Sequence, residues 1–555
     1  MIRFVLSMLF FFIFGSLNSY GQTNCSSFST YFGGTQFDEA RSVCVDHLKN
    51  TYIIGNTYST DLPITNGLIN NTHSGNYDAF ISKFDSCGAL IWCTYFGSTG
   101  FDSGEKIAIS NDGTIVFCGY TSGVDLPVTS GCFQSLNNGG YDCFVTKITP
   151  SGTIVWSTYF GKTNGDFAYD IKTDAYNNII VGGTTTSPNL YTTAASFQPN
   201  IKANTDAFIA RFSKDGILKW NTYYGGNGNE DIHALAIDKN FNIIGVGGTF
   251  SSNLSTSVGA YQSFNNGAPD SYIIKLDSNC VRVFSTYFGG MNVEDSWGVA
   301  TDTLNNIYVA GNTNSNDFYT TSSAYQTTLN GALDDWSLSK WDENGTLLAS
   351  TLFGGSDKDL SCRLTFIAPD ILCFLGKTES TNMPVIGNNY QQTNSGNYDA
   401  FLASFNTSNL QPILSGYYGG STDEEPVDVF SSSNNSIVFV GSTNSINYPL
   451  SSSPYQNSLN NSNDATITKL QVQHLTSILK TENKLMSPPF PNPFQNYITI
   501  NYPSDFTLEI RNILGELVFK TNQQQTIHTN DFNLGLYLVT VQTKHSTSTY
   551  KMIKN

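Results

Sequence analysis

STYFGG occupies residues 29–34, and the phrase returns as CTYFGS (93–98), STYFGK (157–162), NTYYGG (221–226), STYFGG (285–290), STLFGG (350–355) and SGYYGG (415–420). Its third residue is Tyr31, Tyr95, Tyr159, Tyr223, Tyr287, Leu352 and Tyr417, in steps of 64, 64, 64, 64, 65 and 65. A second landmark, Gly-x-Thr, begins at Gly55, Gly119, Gly183, Gly247, Gly311, Gly376 and Gly441. A third is an Asp that opens an apolar run, at Asp78, Asp142, Asp206, Asp270, Asp335, Asp399 and Asp464. Three landmarks holding one register through seven copies define a tandem array.

Within a unit, RSVCVD (41–46), TYIIGNT (51–57), DAFISKF (78–84) and ALIWCTYFG (89–97) are short alternating or β-branched and aromatic runs. Runs of this length read as strands. Asp112-Gly113, Asn177-Asn178, Asp215-Gly216 and Asn344-Gly345 supply turns between them. No window reads as an amphipathic helix. Each unit is a four-stranded meander that cannot bury both faces alone, and radial packing of such sheets is the β-propeller solution. The phrase at 29–34 is then a fourth strand with no first three. At the far end PVDVF, SIVFVGST and DATITKLQV are three strands with no fourth. The orphan is expected to complete the last sheet and close a ring of seven blades. The expected fold is all-β: a seven-bladed propeller closed by the N-terminal strand, followed by a small C-terminal β-sandwich.

The units resemble the SBBP family of propeller repeats, carried here by VATDTLNNIYVAGNTNSNDF (299–318) and TYSTDLPITNG (57–67). That resemblance implies a fold and no particular activity, so function has to be argued from a site.

The two ends set the compartment. Residues 1–21 have an early Arg3, an apolar run over 4–14, and Ser19 and Gly21 before a cut at Gln22, which reads as a secretory signal peptide. Its apolar run is too short to span a membrane, and no other segment approaches that length. The propeller is expected over 22–472 and a polar, proline-rich linker over 473–490. Residues 491–555 resemble the C-terminal sorting domain of the type IX secretion system of Bacteroidetes. That resemblance rests on Pro491-Asn492-Pro493, the Leu514–Val518 turn, Gly535-x-Tyr537-x-Val539 and the basic end at Lys551 and Lys554. It implies a secretion-machinery partner and a secreted or cell-surface location.

Charged residues make up only 13 % of the chain and the net charge is −17, which argues against nucleic acid or anionic membrane as partner. The ten cysteines occupy no repeated position. Cys87/Cys93 and Cys362/Cys373 flank hairpins and are candidate oxidation pairs outside the cell, but spacing alone does not settle the pairing. There is no CxxC and no His/Cys cluster, so neither a structural zinc nor any cofactor is expected.

Seven residues after each landmark stands an acid: Asp38, Asp102, Asp166, Glu230, Glu294, Asp359 and Glu424. These seven are the candidate ligand-facing residues, a carboxylate ring at a channel mouth able to hold a cation or cationic group. Alternatively each acid caps N–H groups of its own turn. Strict repetition favours capping, because a ligand site usually breaks symmetry. The Asp opening each third strand reads as a turn residue. The long loop between strands two and three carries a recurring aromatic-Gln pair, which suggests that it is pinned to its own blade.

No Gly-x-Ser-x-Gly, His-Glu-x-x-His or phosphate-binding loop is present. His47, His73 and His233 stand in unlike contexts. The functional expectation is therefore a surface or extracellular interaction module for a protein or glycan ligand. The rival is a carbohydrate-active hydrolase or lyase with its site on the channel face. That rival requires one non-repeated cluster of acids, His, Arg or Tyr in the channel.

Overall fold

The computed structural model describes residues 25–472 and 493–554, apart from 268, 332, 388–389, 434, 461, 500–505, 523–525 and 544–546. The signal peptide and linker expected from the sequence lie outside the described residues. The chain divides into two compact units, 1–472 and 473–555.

The first unit consists of seven four-stranded antiparallel sheets, and the described residues contain no helix. Six sheets are meanders of four consecutive strands. The seventh takes its first three strands from Glu424–Ser433, Ser436–Thr443 and Asp464–Gln471, and its fourth from Phe28–Phe32. Phe28–Phe32 pairs antiparallel with the third strand, Tyr31 opposite Thr466 and Phe32 opposite Ala465. Each first strand packs against the first strand of the next blade, and that of blade seven packs against that of blade one. The core lies between sheets. Phe28, Phe32 and Ile467 of blade seven share one cluster with Val43, Phe80 and Phe84 of blade one.

The repeated phrase is explained by what its residues do. The landmark tyrosines are buried, and each phenol bridges the loop after strand two. Tyr95, for example, donates to Ser59 O at 2.9 Å and accepts from Leu62 N at 3.2 Å. Leu352 cannot do this, and blade five fills the space with the buried Phe318. The glycine that follows is required by crowding. A Cβ on Gly97 would sit 2.9 Å from Asp78 Cγ and 3.0 Å from Asp102 Oδ2.

The long loop is pinned by its glutamine. Gln134 donates to Asp142 Oδ2 at 2.6 Å and accepts from Gly161 N at 3.0 Å. The neighbouring aromatic packs on its own blade and can also reach the next, as Tyr261 does against Phe288 at 5.9 Å and Trp341 at 5.3 Å. The third-strand Asp serves its turn, Asp142 accepting from Asn138 N at 2.9 Å.

The expected cysteine pairs are corrected by the structure. Cys87 is bonded to Cys25, while Cys93, Cys362 and Cys373 are free, buried thiols. Register explains it: Cys373 faces Thr365 and Cys93 faces Ser82, so neither expected pair is cross-strand.

The second unit has a four-stranded sheet of Leu517–Asn522, Phe506–Asn512, Gly535–Thr543 and Thr547–Lys554, with a two-stranded sheet of Tyr497–Thr499 and Thr526–His528. Ile498 and Ile527 of the small sheet bury against Leu508, Ile510, Val539 and Met552 of the large one.

Candidate functional site at the channel mouth

Asp38, Asp102, Asp166, Glu230, Glu294, Asp359 and Glu424 each stand at or just before a first strand, and all are almost completely buried. Their oxygens are spent locally. Asp38 Oδ2 accepts from Gly34 N at 2.7 Å and Ser59 Oγ at 2.8 Å, and Oδ1 accepts from Thr57 Oγ1. The same trio recurs at Asp166 with Lys162 N, Thr185 and Ser187. The structure thus places the repeated acids at the blade junctions. Glu230 alone of them lines the cavity described next.

The residue that reaches the channel stands three positions further on. Each first strand carries one more residue than its partner strand across this point. The pairing steps from Ala40 to Ser42 against consecutive Gly55 and Ile54, and likewise around Glu105, Tyr169, Trp297 and Val427. In blade four Glu230 faces Thr249 while Ala234 faces Val246, which leaves the same excess beside His233. A bulge of this kind re-aims a side chain out of the ladder. In blade six Ser361 takes a φ of 48° and Cys362 is buried, so Arg363, one residue later, takes the place. Six equivalent positions carry Arg41, Glu105, Tyr169, His233, Trp297 and Val427, and with Arg363 beside the seventh they line one cavity of about 480 Å³. The scaffold is symmetric and its lining is not. Sequence reasoning missed this set, although counting three residues on from each acid would have found six of the seven.

His233 is the centre of the lining. Its ring stacks on Trp297 at 3.9 Å and 7°, with Nε2 at 3.4 Å from Asp231 Oδ2 and Nδ1 at 3.2 Å from Asp295 Oδ1. Burial opposes its charge, but Asp295 and Asp231 outweigh burial and push the imidazole up to about 9. It is therefore an imidazolium at neutral pH. The potential ligand atoms of Asp231, His233 and Asp295 lie within 4.8 Å of one another, so these are the described residues that could hold a metal ion. Each ring nitrogen faces a different carboxylate, an arrangement that suits a cationic ring better than a single ion. Arg41 binds Glu105 at 2.8 Å, and Ser103 Oγ donates to the other Glu105 oxygen at 2.7 Å. Lys106 binds Asp428 at 2.6 Å. Tyr169 and the largely exposed Phe250 complete an apolar wall.

Comparison with known proteins finds two family models that match parts of the chain. The model of the beta-propeller repeat named SBBP matches residues 283–319, and that of the secretion system C-terminal sorting domain matches residues 489–555. The chain thus carries an SBBP propeller repeat and a type IX sorting domain. The tail supports export to the cell surface or beyond and engagement of the secretion machinery. An uncharacterized WD repeat-containing protein of Acanthamoeba polyphaga mimivirus is 24% identical over 28% of this chain and 13% of its own length. The regulatory protein FlaEY of Caulobacter vibrioides is 25% identical over 37% of this chain and 22% of its own. The matches thus span under a quarter of either relative. Among solved structures, an ulvan lyase of a new polysaccharide lyase family aligns at 9% identity over 75% of this chain and 92% of its own, with a TM-score of 0.40. The β-propeller domain of a Pyrococcus furiosus protease aligns at 7% identity over 73% and 92%, with a TM-score of 0.36. Among the described residues of the SBBP-type chain, no helix is long and apolar enough to cross a membrane.

Proposed function

We propose that this SBBP-type propeller is an extracellular glycan-binding module whose ligand enters the channel mouth. In this reading residues 1–21 are removed as a signal peptide, and 491–555 deliver the propeller over 22–472 across the outer membrane. The observation that carries the proposal is the non-repeated lining. Six equivalent bulge positions and the neighbouring Arg363 present unlike side chains around a cavity of about 480 Å³, the size of a small-ligand site rather than a protein footprint. Aromatic walls beside fixed charged groups suit a saccharide, which offers a C–H face and a fan of hydroxyls.

The same asymmetry is what a hydrolase or lyase would need, so that reading stands second. What favours binding is that the obvious acid–base groups are engaged. His233 is charged and flanked by two carboxylates, and Glu105 is held by Arg41 and Ser103. A general base needs a free lone pair near its operating pH. The repeated acids are assigned to the scaffold. The test is a glycan and protein pull-down with the full chain, run beside a turnover assay on the same glycans. Capture without turnover is expected. Turnover moves the function to the second reading, and capture of proteins alone removes the glycan.

A further inference from the structure

The cations on the channel wall are not equivalent. Arg41 has Glu105 at 2.8 Å, Lys106 has Asp428 at 2.6 Å, Lys172 has Asp170 at 2.7 Å, and His233 lies between Asp231 and Asp295. Arg363 differs. Its Nη1 donates to two main-chain carbonyls, Trp297 O at 2.9 Å and Cys362 O at 3.0 Å, and among the described residues no carboxylate pairs with it. Its Nε and Nη2 have no acceptor among those residues. Its guanidinium lies over the Trp297 indole, 5.5 Å from the ring centroid. It lines both the mouth cavity and the adjoining channel cavity of about 350 Å³.

The Asp428 and Asp170 charges favour this cation, but neither makes an ion pair with it, and its free edge is a position left open. Burial works against this charge, and a desolvated cation is unfavourable until an anion meets it. The two carbonyls fix Nη1 and the indole holds the plane, so the remaining Nε–Nη2 edge is a preset fork. Such a fork matches two oxygens of a carboxylate or sulfate. We propose that Arg363 is the anion subsite of the channel mouth, seating the carboxylate or sulfate ester of an acidic saccharide. This rests on the glycan-binding reading and narrows its ligand class.

The full chain is titrated with oligogalacturonates, with the same oligosaccharides after carboxyl reduction, and with sulfated galacto-oligosaccharides. The wild type is expected to bind an acidic form at least about tenfold more tightly than the reduced one, the value of one charge-assisted contact. Arg363→Gln is expected to abolish that preference, so that the acidic and reduced forms bind equally. The arm in which the preference appears identifies carboxylate or sulfate. Arg363→Lys keeps the charge but loses the fork, and is expected to lose part of the preference; if the Gln variant fails to fold, this variant decides. Equal wild-type binding of all three forms, a preference that survives in a folded Arg363→Gln chain, or one that stays undiminished in Arg363→Lys, overturns the subsite and leaves the glycan reading intact. No wild-type binding in any arm overturns both.

Discussion

At each junction between blades, two carboxylates share one small space. Asp38 Oδ2 and Asp464 Oδ1 both face Gly33, and Glu294 Oε2 and Asp270 Oδ1 both face Gly289. Oδ1 of Asp142, Asp270, Asp335, Asp399 and Asp464 is buried and accepts no hydrogen bond. Burial pushes Asp38 and Asp102 up to about 6, and Glu294, Asp359 and Glu424 up to about 7, against the hydrogen bonds that hold their charge. Groups raised on folding contribute stability that is full below their unfolded values near 4 and is lost as pH rises through 6 to 7. The melting temperature is therefore expected to fall between about pH 5 and about pH 8, and Glu294→Gln, which fixes the neutral form, to shrink that fall. A melting temperature that rises across this window refutes the assignment. Hydroxyls and amides already occupy the ring oxygens, so added calcium is expected to leave the melting temperature of wild type and of a Glu230→Gln/Glu294→Gln double variant unchanged. A calcium-dependent rise lost in the variant would make the ring a cation site. The ring was legible in the sequence because repetition exposes it. The lining was not, because a period search reports what is the same in each copy, and Arg41, Tyr169, His233 and Trp297 differ. Their common offset was readable, but that the offset marks a bulge is knowable only from pairing register.

The strand Phe28–Phe32 shows the same division at the scale of elements. Its place as the outer strand of blade seven followed from counting strand types, and it pairs antiparallel with Asp464–Gln471. The bond from Cys25 to Cys87 did not follow, because it depends on which turn of blade one meets the residues just before the closing strand. Cys87 sits in the turn between Asp78–Phe84 and Leu90–Phe96, and Lys469 Nζ donates to Cys25 O at 2.9 Å and Ser86 O at 3.0 Å. The disulfide therefore staples the closing strand to the first blade. It spans 62 residues, for which loop entropy gives stabilisation on the order of 4 kcal/mol. Cys25→Ser/Cys87→Ser is expected to lower unfolding free energy by roughly 2–4 kcal/mol in denaturant titration. Deleting residues 22–34 removes both staple and strand, exposes the edge of Asp464–Gln471, and is expected to abolish cooperative unfolding or cause aggregation. An unchanged melting curve for that deletion would contradict closure by this strand.

For the whole molecule, a sorting tail is joined to a propeller that has its own core, so delivery and binding are separable. A chain truncated after residue 491 is expected to fold but to remain in the periplasm. Its normal surface delivery would contradict the role of the tail. The propeller itself joins a repeated frame, held by buried acids, tyrosines and glutamines, to one non-repeated set of side chains. Ligand binding is proposed to belong to the second set and not the first. Calorimetric titration of the full chain against a mixed panel of neutral and acidic oligosaccharides tests it most directly, with wild type compared to Tyr169→Ala and Glu294→Gln. The account predicts that Tyr169→Ala weakens binding about tenfold or more, the scale of a lost aromatic contact, while Glu294→Gln binds as wild type does. Binding that survives Tyr169→Ala but is lost in a folded Glu294→Gln chain would contradict it.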